Sequence, residues 1–180
     1  MRVQVAIVGG GPAGHLLGQL LYKAGIDAIV IEQRSREYVL GRIRAGVLEQ
    51  GTTDLLDEAG VGARMRKEGL VHGGFALGFG GSHHRINLHQ LTGGKNVMVY
   101  GQTEVTHDLM DARAAAGLAT AFEAENVSLH DFDGPHPKVR YVQHGVAHEV
   151  ECDFIAGCDG FHGVSRASVP AAALQTYERV

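Results

Sequence analysis

The spacing of apolar residues changes sharply within the first thirty positions. Arg2–Val8 (RVQVAIV) is a β-branched run of strand length. From Ala13 the apolar residues fall at helical spacing instead: Ala13, Leu16, Leu17, Leu20, Leu21 and Ala24 predict one face of a helix. Pro12 suits the first turn of that helix, where its missing N–H costs nothing, and Gly25 suits its C-terminal cap. Asp27–Ile31 (DAIVI) is a second strand, ending at Glu32. Strand, helix and strand in this order predict a βαβ unit with parallel strands and a right-handed crossover.

Beyond Glu32 the pattern is mixed. Gln33–Leu40 is short and polar, and Gly41–Gly46 is a loop carrying Arg42 and Arg44. Val47–Ala59 predicts a helix with Val47, Leu48, Gly51, Leu55 and Leu56 inward, stopped near Gly60. Glycines then punctuate short alternating runs (FALGF, HRINL, NVMVY), which predicts an antiparallel β insertion at about 71–100. Thr103–Ala116 returns to helix. Ala119–Leu129, Lys138–Gln143 and Ala147–Glu151 predict strands, with a Gly134–Pro137 turn after the first. Asp153–Ala156 is a further short strand running into Gly157-Cys158-Asp159-Gly160, and Thr176–Val180 is strand-like and has the look of an interrupted ending. The expected fold class is α/β, a Rossmann-like domain interrupted by antiparallel β structure.

A chain of 180 residues that is 44% hydrophobic and 20% charged is sized and composed like one globular domain, at most one and a fragment. Sixteen Lys and Arg against twenty Asp and Glu leave −4, which argues against nucleic acid or an anionic membrane as the main partner. Val3–Tyr22 lacks charge over a membrane-spanning length, but Gln4, Pro12, His15, Gln19 and three consecutive glycines argue against a span. Cys152 and Cys158 have neither redox-pair nor zinc-knuckle spacing, and a cytoplasmic location is expected. No HExxH or Cys/His cluster predicts a metal site, and no GxSxG or P-loop is present.

Gly9-x-Gly11-x-x-Gly14 sits at the strand-to-helix junction. Its first glycine permits the tight turn, its second lets a pyrophosphate approach the backbone, and its third lets helix and strand pack closely. The helix N-terminus, including Ala13, supplies N–H groups and a positive dipole end. Glu32 ends the second strand, where a carboxylate accepts hydrogen bonds from a ribose; the plainer reading is a solvated helix cap. The fingerprint leaves NAD(P) and FAD both open. Arg42 and Arg44 carry guanidiniums suited to phosphate oxygens, although alone they read as a solvated basic loop. Asp159-Gly160 offers a carboxylate to a polyol such as ribitol, although Asp-Gly is more commonly a plain turn.

Four segments carry a more specific signal: LGRIRAGVLEQG (Leu40–Gly51), GLVH (Gly69–His72), VYGQTEVT (Val99–Thr106) and DFIAGCDGFHGVSR (Asp153–Arg166). In this order, and with the Gly-rich turn, they resemble the single-component flavoprotein aromatic hydroxylases that act on 4-hydroxybenzoate, and the resemblance covers essentially the whole chain. It implies FAD as the bound cofactor. Gly9, Gly11, Ala13 and Gly14 would form the pyrophosphate turn, and Glu32 would be the ribose ligand. Arg42, Ile43, Arg44, Ala45, Gly46 and Val47 would lie along the pyrophosphate, ribitol and flavin, with Gln102 a further contact. Asp159 and Gly160 would stand in the family's D-G motif. Gln33, Arg34, Tyr38, His162 and Arg166 match positions implicated in NADPH use. The order Gln33-Arg34 is the reverse of the family's, so NADH is not excluded. A lone histidine is usually a surface or structural residue, but His72 follows the matching GLV, where the family has a proton relay from the substrate phenol.

The implied activity is hydroxylation of 4-hydroxybenzoate to 3,4-dihydroxybenzoate by O2 through a flavin C4a-hydroperoxide, in a homodimer. The resemblance also implies a truncated FAD-binding domain over 1–180, with 71–100 opening the substrate domain and the substrate-binding residues beyond Val180. Strands without their partners predict an exposed apolar edge. Two other readings stand beside this one: a related monooxygenase with another aromatic substrate, and a non-catalytic FAD-binding fragment.

Overall fold

The computed structural model describes residues 1–42, 44–175 and 177. They form two compact units, Met1–Val39 with Arg113–Val180, and Leu40–Ala112. The first unit is built on a parallel sheet of four strands in the order Phe154–Gly157, Val5–Val8, Ala28–Ile31, Thr120–Ala121. The helix Pro12–Lys23 makes the crossover between the two central strands. Those strands are buried on both faces, which is why their sequences are continuous apolar runs. Ala6, Val8, Ile29 and Ile31 share a core with Val139, Tyr141, Val150 and Cys152. Val5, Ile7 and Val30 pack with Leu17, Leu21 and Ile26.

The crossover helix ends as expected. Gly25 has φ +72°, Ile26 N–H donates to the Leu21 carbonyl at 2.9 Å and Gly25 N–H to that of Tyr22 at 3.0 Å. These are the two bonds of a glycine C-cap. Its buried face differs from the expected leucine stripe: the fully buried residues are Gly14, His15, Gly18 and Gln19, with Ala13 exposed. Close approach explains the rotation, because a Cβ on Gly18 would stand 2.6 Å from Arg113 Nη1. The glycines let the backbone settle, and the leucines flank the contact.

The predicted strand Ala119–Leu129 is two strands. Thr120–Ala121 closes the parallel sheet, and Glu125–His130 begins an antiparallel sheet ordered Val146–Glu151, Lys138–Gln143, Glu125–His130. Glu123, at positive φ, turns the chain between them, and Asn126, also at positive φ, sits at the start of the second strand. Cross-strand ion pairing joins Arg140 to Glu149 at 2.7 Å in that sheet.

The second unit has a central strand Val97–Val99 flanked antiparallel by Val47–Glu49 and Leu70–His72, and a separate hairpin Phe75–Phe79 with Ser82–Ile86. The helix expected over Val47–Ala59 therefore begins only at Gln50, because the first three residues are claimed by pairing with Val97–Val99. Helices at Arg36–Gly41 and Gly62–Glu68 were not expected from the polar sequence. The hairpin leaves Phe75, Leu77 and Phe79 exposed at 46%, 47% and 62%. Among the described residues no helix is long and apolar enough to cross a membrane.

Candidate functional site

In the first unit, strand Val5–Val8 leads into a turn in which Gly9 adopts φ +108° and donates its N–H to the Ile31 carbonyl at 2.8 Å. A Cβ on Gly9 would collide with the Cys158 carbonyl, and one on Gly14 with the Gly9 carbonyl. Gly11 is different: a Cβ there would meet nothing within 4 Å. The turn is thus sealed against its own protein at the first and third glycines and open at the second. Gly11 is the N-cap of the crossover helix, which has no acidic residue in its first turn. Its unpaired N–H groups and dipole favour an anion there.

Glu32 stands beside this turn. Its Oε2 accepts the Gly10 N–H at 2.6 Å, and its Oε1 accepts the Arg34 N–H at 2.8 Å. Each carboxylate oxygen retains capacity for another donor, so the group is fixed and still able to bind hydroxyls. The Cys158 N–H donates to the Val8 carbonyl at 2.7 Å, which brings Asp159-Gly160 against Gly9. Asp159 Oδ2 accepts the Ser165 N–H at 2.9 Å, so this carboxylate also holds an N–H of the first turn of the short helix Val164–Ser168.

Of the residues matched to nicotinamide use, the Arg34 guanidinium lies 5.2 Å from the Tyr38 ring centroid, and Gln33 is exposed. Ser35 caps the helix carrying Tyr38, its Oγ accepting the Tyr38 N–H at 3.2 Å. Arg166 lies 4.2 Å from the Phe161 ring, and His162 meets the same ring edge-on.

In the second unit, Arg42 and Arg44 are exposed, and Ile43 lies outside the described residues. The Ala45 carbonyl accepts the Gln102 N–H, and the Gly46 carbonyl the Tyr100 N–H, each at 2.9 Å. Val47 pairs with Val99, and His72 pairs with Val97 on the other side of the same strand. Strand register thus places Val47 and His72 on either side of one central strand, and Gln102 opens the helix that follows it.

Residues 2–180 match the FAD binding domain family. The chain belongs to that family. It is 54% identical over its whole length to p-hydroxybenzoate hydroxylase of Acinetobacter baylyi, of which it covers 44%. It is 27% identical over 91% of its length to a probable NADH-specific resorcinol 4-hydroxylase of Rhodococcus jostii, covering 32% of that protein. The chain thus spans less than half the length of these curated relatives. Among solved structures, PqsL from Pseudomonas aeruginosa superposes on the whole chain with a TM-score of 0.81 at 18% identity, covering 48% of that protein. The p-nitrophenol 4-monooxygenase PnpA from Pseudomonas putida covers 93% of the chain and is itself 44% covered, with a TM-score of 0.78 at 21% identity. At these identities the likeness is one of fold.

The cradle fits the cofactor that gives this FAD-binding family its description: an open second glycine at a helix N-terminus suits a pyrophosphate, and a fixed carboxylate beside it suits a ribose. Two polar clusters escaped the sequence reading. His15 and Arg113 are each 1% exposed in the first unit. Among the described residues, both ring nitrogens of His15 and the Nε and Nη1 of Arg113 have no hydrogen-bond partner. Burial, then the charges of Arg113 and Arg36, lower the His15 pKa to about 4. The i, i+4 spacing of His15 and Gln19 was the only sequence signal. In the second unit, Arg64, Tyr100, Glu104 and Asp108 form a network; the last three recur at four-residue spacing, but nothing in the local pattern announces Arg64 as their partner.

Proposed function

We propose that this chain is the FAD-binding part of a NAD(P)H- and O2-using aromatic hydroxylase that converts 4-hydroxybenzoate to 3,4-dihydroxybenzoate. The observation that carries the reading is the pairing of the open Gly11 turn with the doubly anchored Glu32 carboxylate. The 54% identity to p-hydroxybenzoate hydroxylase supports the choice of substrate.

In this reading Gly9, Gly11, Ala13 and Gly14 hold the pyrophosphate, Glu32 binds the adenosine ribose, and Asp159-Gly160 serves the ribitol. Arg42 to Val47 and Gln102 supply further FAD contacts. Bound FAD supplies the redox and oxygen-transfer chemistry. The protein's own residues orient it, exclude water and manage protons. His72 is exposed on its strand and is assigned to proton movement from the substrate phenol. Gln33, Arg34, Tyr38, His162 and Arg166 are assigned to the nicotinamide reductant, NADPH first and NADH as the alternative. Residues 71–100 are assigned to the start of the substrate domain.

The test is turnover by the full-length protein. Oxidation of NADPH or NADH that is stimulated by 4-hydroxybenzoate and yields 3,4-dihydroxybenzoate is the expected result. Productive turnover only with another phenol moves the assignment to a related monooxygenase, and flavin binding without any turnover moves it to a binding module.

A further inference from the structure

The loop that carries Arg42 and Arg44 is pinned at both ends to one short segment of the second unit. At its start, the Leu40 carbonyl accepts the Thr103 hydroxyl at 3.2 Å. At its end, the Ala45 and Gly46 carbonyls accept the N–H groups of Gln102 and Tyr100. The ends of the loop, at Leu40 and at Ala45–Gly46, are therefore set by where Tyr100–Thr103 stands. That segment is held in turn by a carboxylate on the following helix. Asp108 Oδ2 accepts the Tyr100 hydroxyl at 2.7 Å, and Asp108 Oδ1 accepts Arg64 Nε at 2.7 Å.

Arg64 completes the clamp. Its Nη2 donates to the Glu104 carbonyl at 3.2 Å, its Nη1 pairs with Glu104 Oε2 at 2.5 Å, and its guanidinium lies 5.6 Å from the Tyr100 ring centroid. The Asp108 side chain is 14% exposed and Tyr100 5%. A surface ion pair would contribute little, whereas a shielded carboxylate with both oxygens engaged fixes a single geometry. Burial first, and then the bond to Asp108, hold the Tyr100 hydroxyl well above its ordinary pKa, so it stays a donor.

We propose that Asp108 is a positioning residue for flavin binding: acting through Tyr100 and Arg64, it fixes the main chain that anchors the arginine loop. The proposal rests on the reading that this loop contacts FAD. Asp108 touches no cofactor in this scheme, and its effect passes through two backbone hydrogen bonds.

The experiment uses the full-length protein with Asp108→Asn, Tyr100→Phe and Arg44→Ala. Amide hydrogen exchange is followed without flavin, and FAD affinity by fluorescence titration. Loss of one charge-assisted bond should speed exchange at the Tyr100 and Gln102 amides about tenfold in the first two variants, and weaken FAD by a similar factor. Exchange at Ile7 and Val30 should stay at the wild-type rate, which a general loss of stability would not allow. Arg44→Ala should weaken FAD without altering those amides. Unchanged Tyr100 and Gln102 exchange overturns the clamp, as does normal FAD affinity in the clamp variants while Arg44→Ala loses it. Unchanged affinity in Arg44→Ala overturns the underlying reading of the loop, and the proposal with it. If Asp108→Asn does not fold, Tyr100→Phe, which removes a single oxygen, decides.

Discussion

The main-chain N–H of Gly10 donates to Glu32 Oε2 at 2.6 Å across 22 positions of sequence, tying the glycine turn to the end of the neighbouring strand. The Arg34 N–H holds the other oxygen. Glu32 is therefore part of the architecture of the cradle as well as its candidate ribose ligand. Glu32→Ala leaves two N–H donors without their acceptor, and should destabilise the flavin-free protein by about 1–3 kcal/mol. Urea denaturation measures this. A variant as stable as wild type would mean that the two bonds are replaced by water at no cost.

Gly14→Ala is the sharper packing test. The added methyl meets the Gly9 carbonyl, a backbone atom that cannot swing aside. We expect a loss of roughly 2 kcal/mol or more, with weaker flavin binding, since the turn must open to admit the methyl. Denaturation and flavin titration on the same sample check both. Gly11→Ala, whose methyl enters open space, should leave the flavin-free stability within about 0.5 kcal/mol.

His15 makes stability depend on pH. It is buried beside Arg113, and its pKa is lowered from 6.5 to about 4 in the folded protein. The unfolded chain therefore binds the proton first. The contribution of neutral His15 is complete above pH 6.5 and is lost as pH falls from there to about 4, approaching roughly 3 kcal/mol in total. Urea midpoints at pH 7 and pH 4.5 should differ less in His15→Leu than in wild type. Equal pH dependence in both would remove His15 as the cause.

The exposed hairpin face offers a control on what the fold needs. Phe75 and Leu77 stand on one strand, 46% and 47% exposed, so Phe75→Thr and Leu77→Thr should change stability by only about 0.5 kcal/mol. Binding of a hydrophobic dye to this chain should fall, because the patch it recognises is reduced. A large loss of stability would show that the face is covered.

Much of the first unit was legible in the sequence, because its strands are buried on both faces and its helix follows a Gly-rich turn; both leave strong local patterns. Glu32 was legible for the same reason, standing at the end of the second strand. What escaped depended on distant partners. Val47–Glu49 has the apolar residues of a helix start, but pairing with Val97–Val99 makes it a strand. The leucines of the first helix suggested its buried face, yet Gly14 and Gly18 allow close contact on a neighbouring stripe. Arg64 and Asp108 are 44 positions apart, a separation that no periodicity reports.

Everything in the functional reading requires the amino-terminal crossover to accept the adenylate half of FAD. Equilibrium titration of FAD into the full-length wild-type protein and its Glu32→Ala variant, read by quenching of flavin fluorescence, addresses this most directly. Saturable one-to-one binding is expected, weakened about 10- to 100-fold by the substitution, in keeping with the loss of charge-assisted hydrogen bonds to the ribose. A cooperatively folded wild-type protein that leaves flavin fluorescence unchanged, or binds FAD equally well without the Glu32 carboxylate, would contradict it.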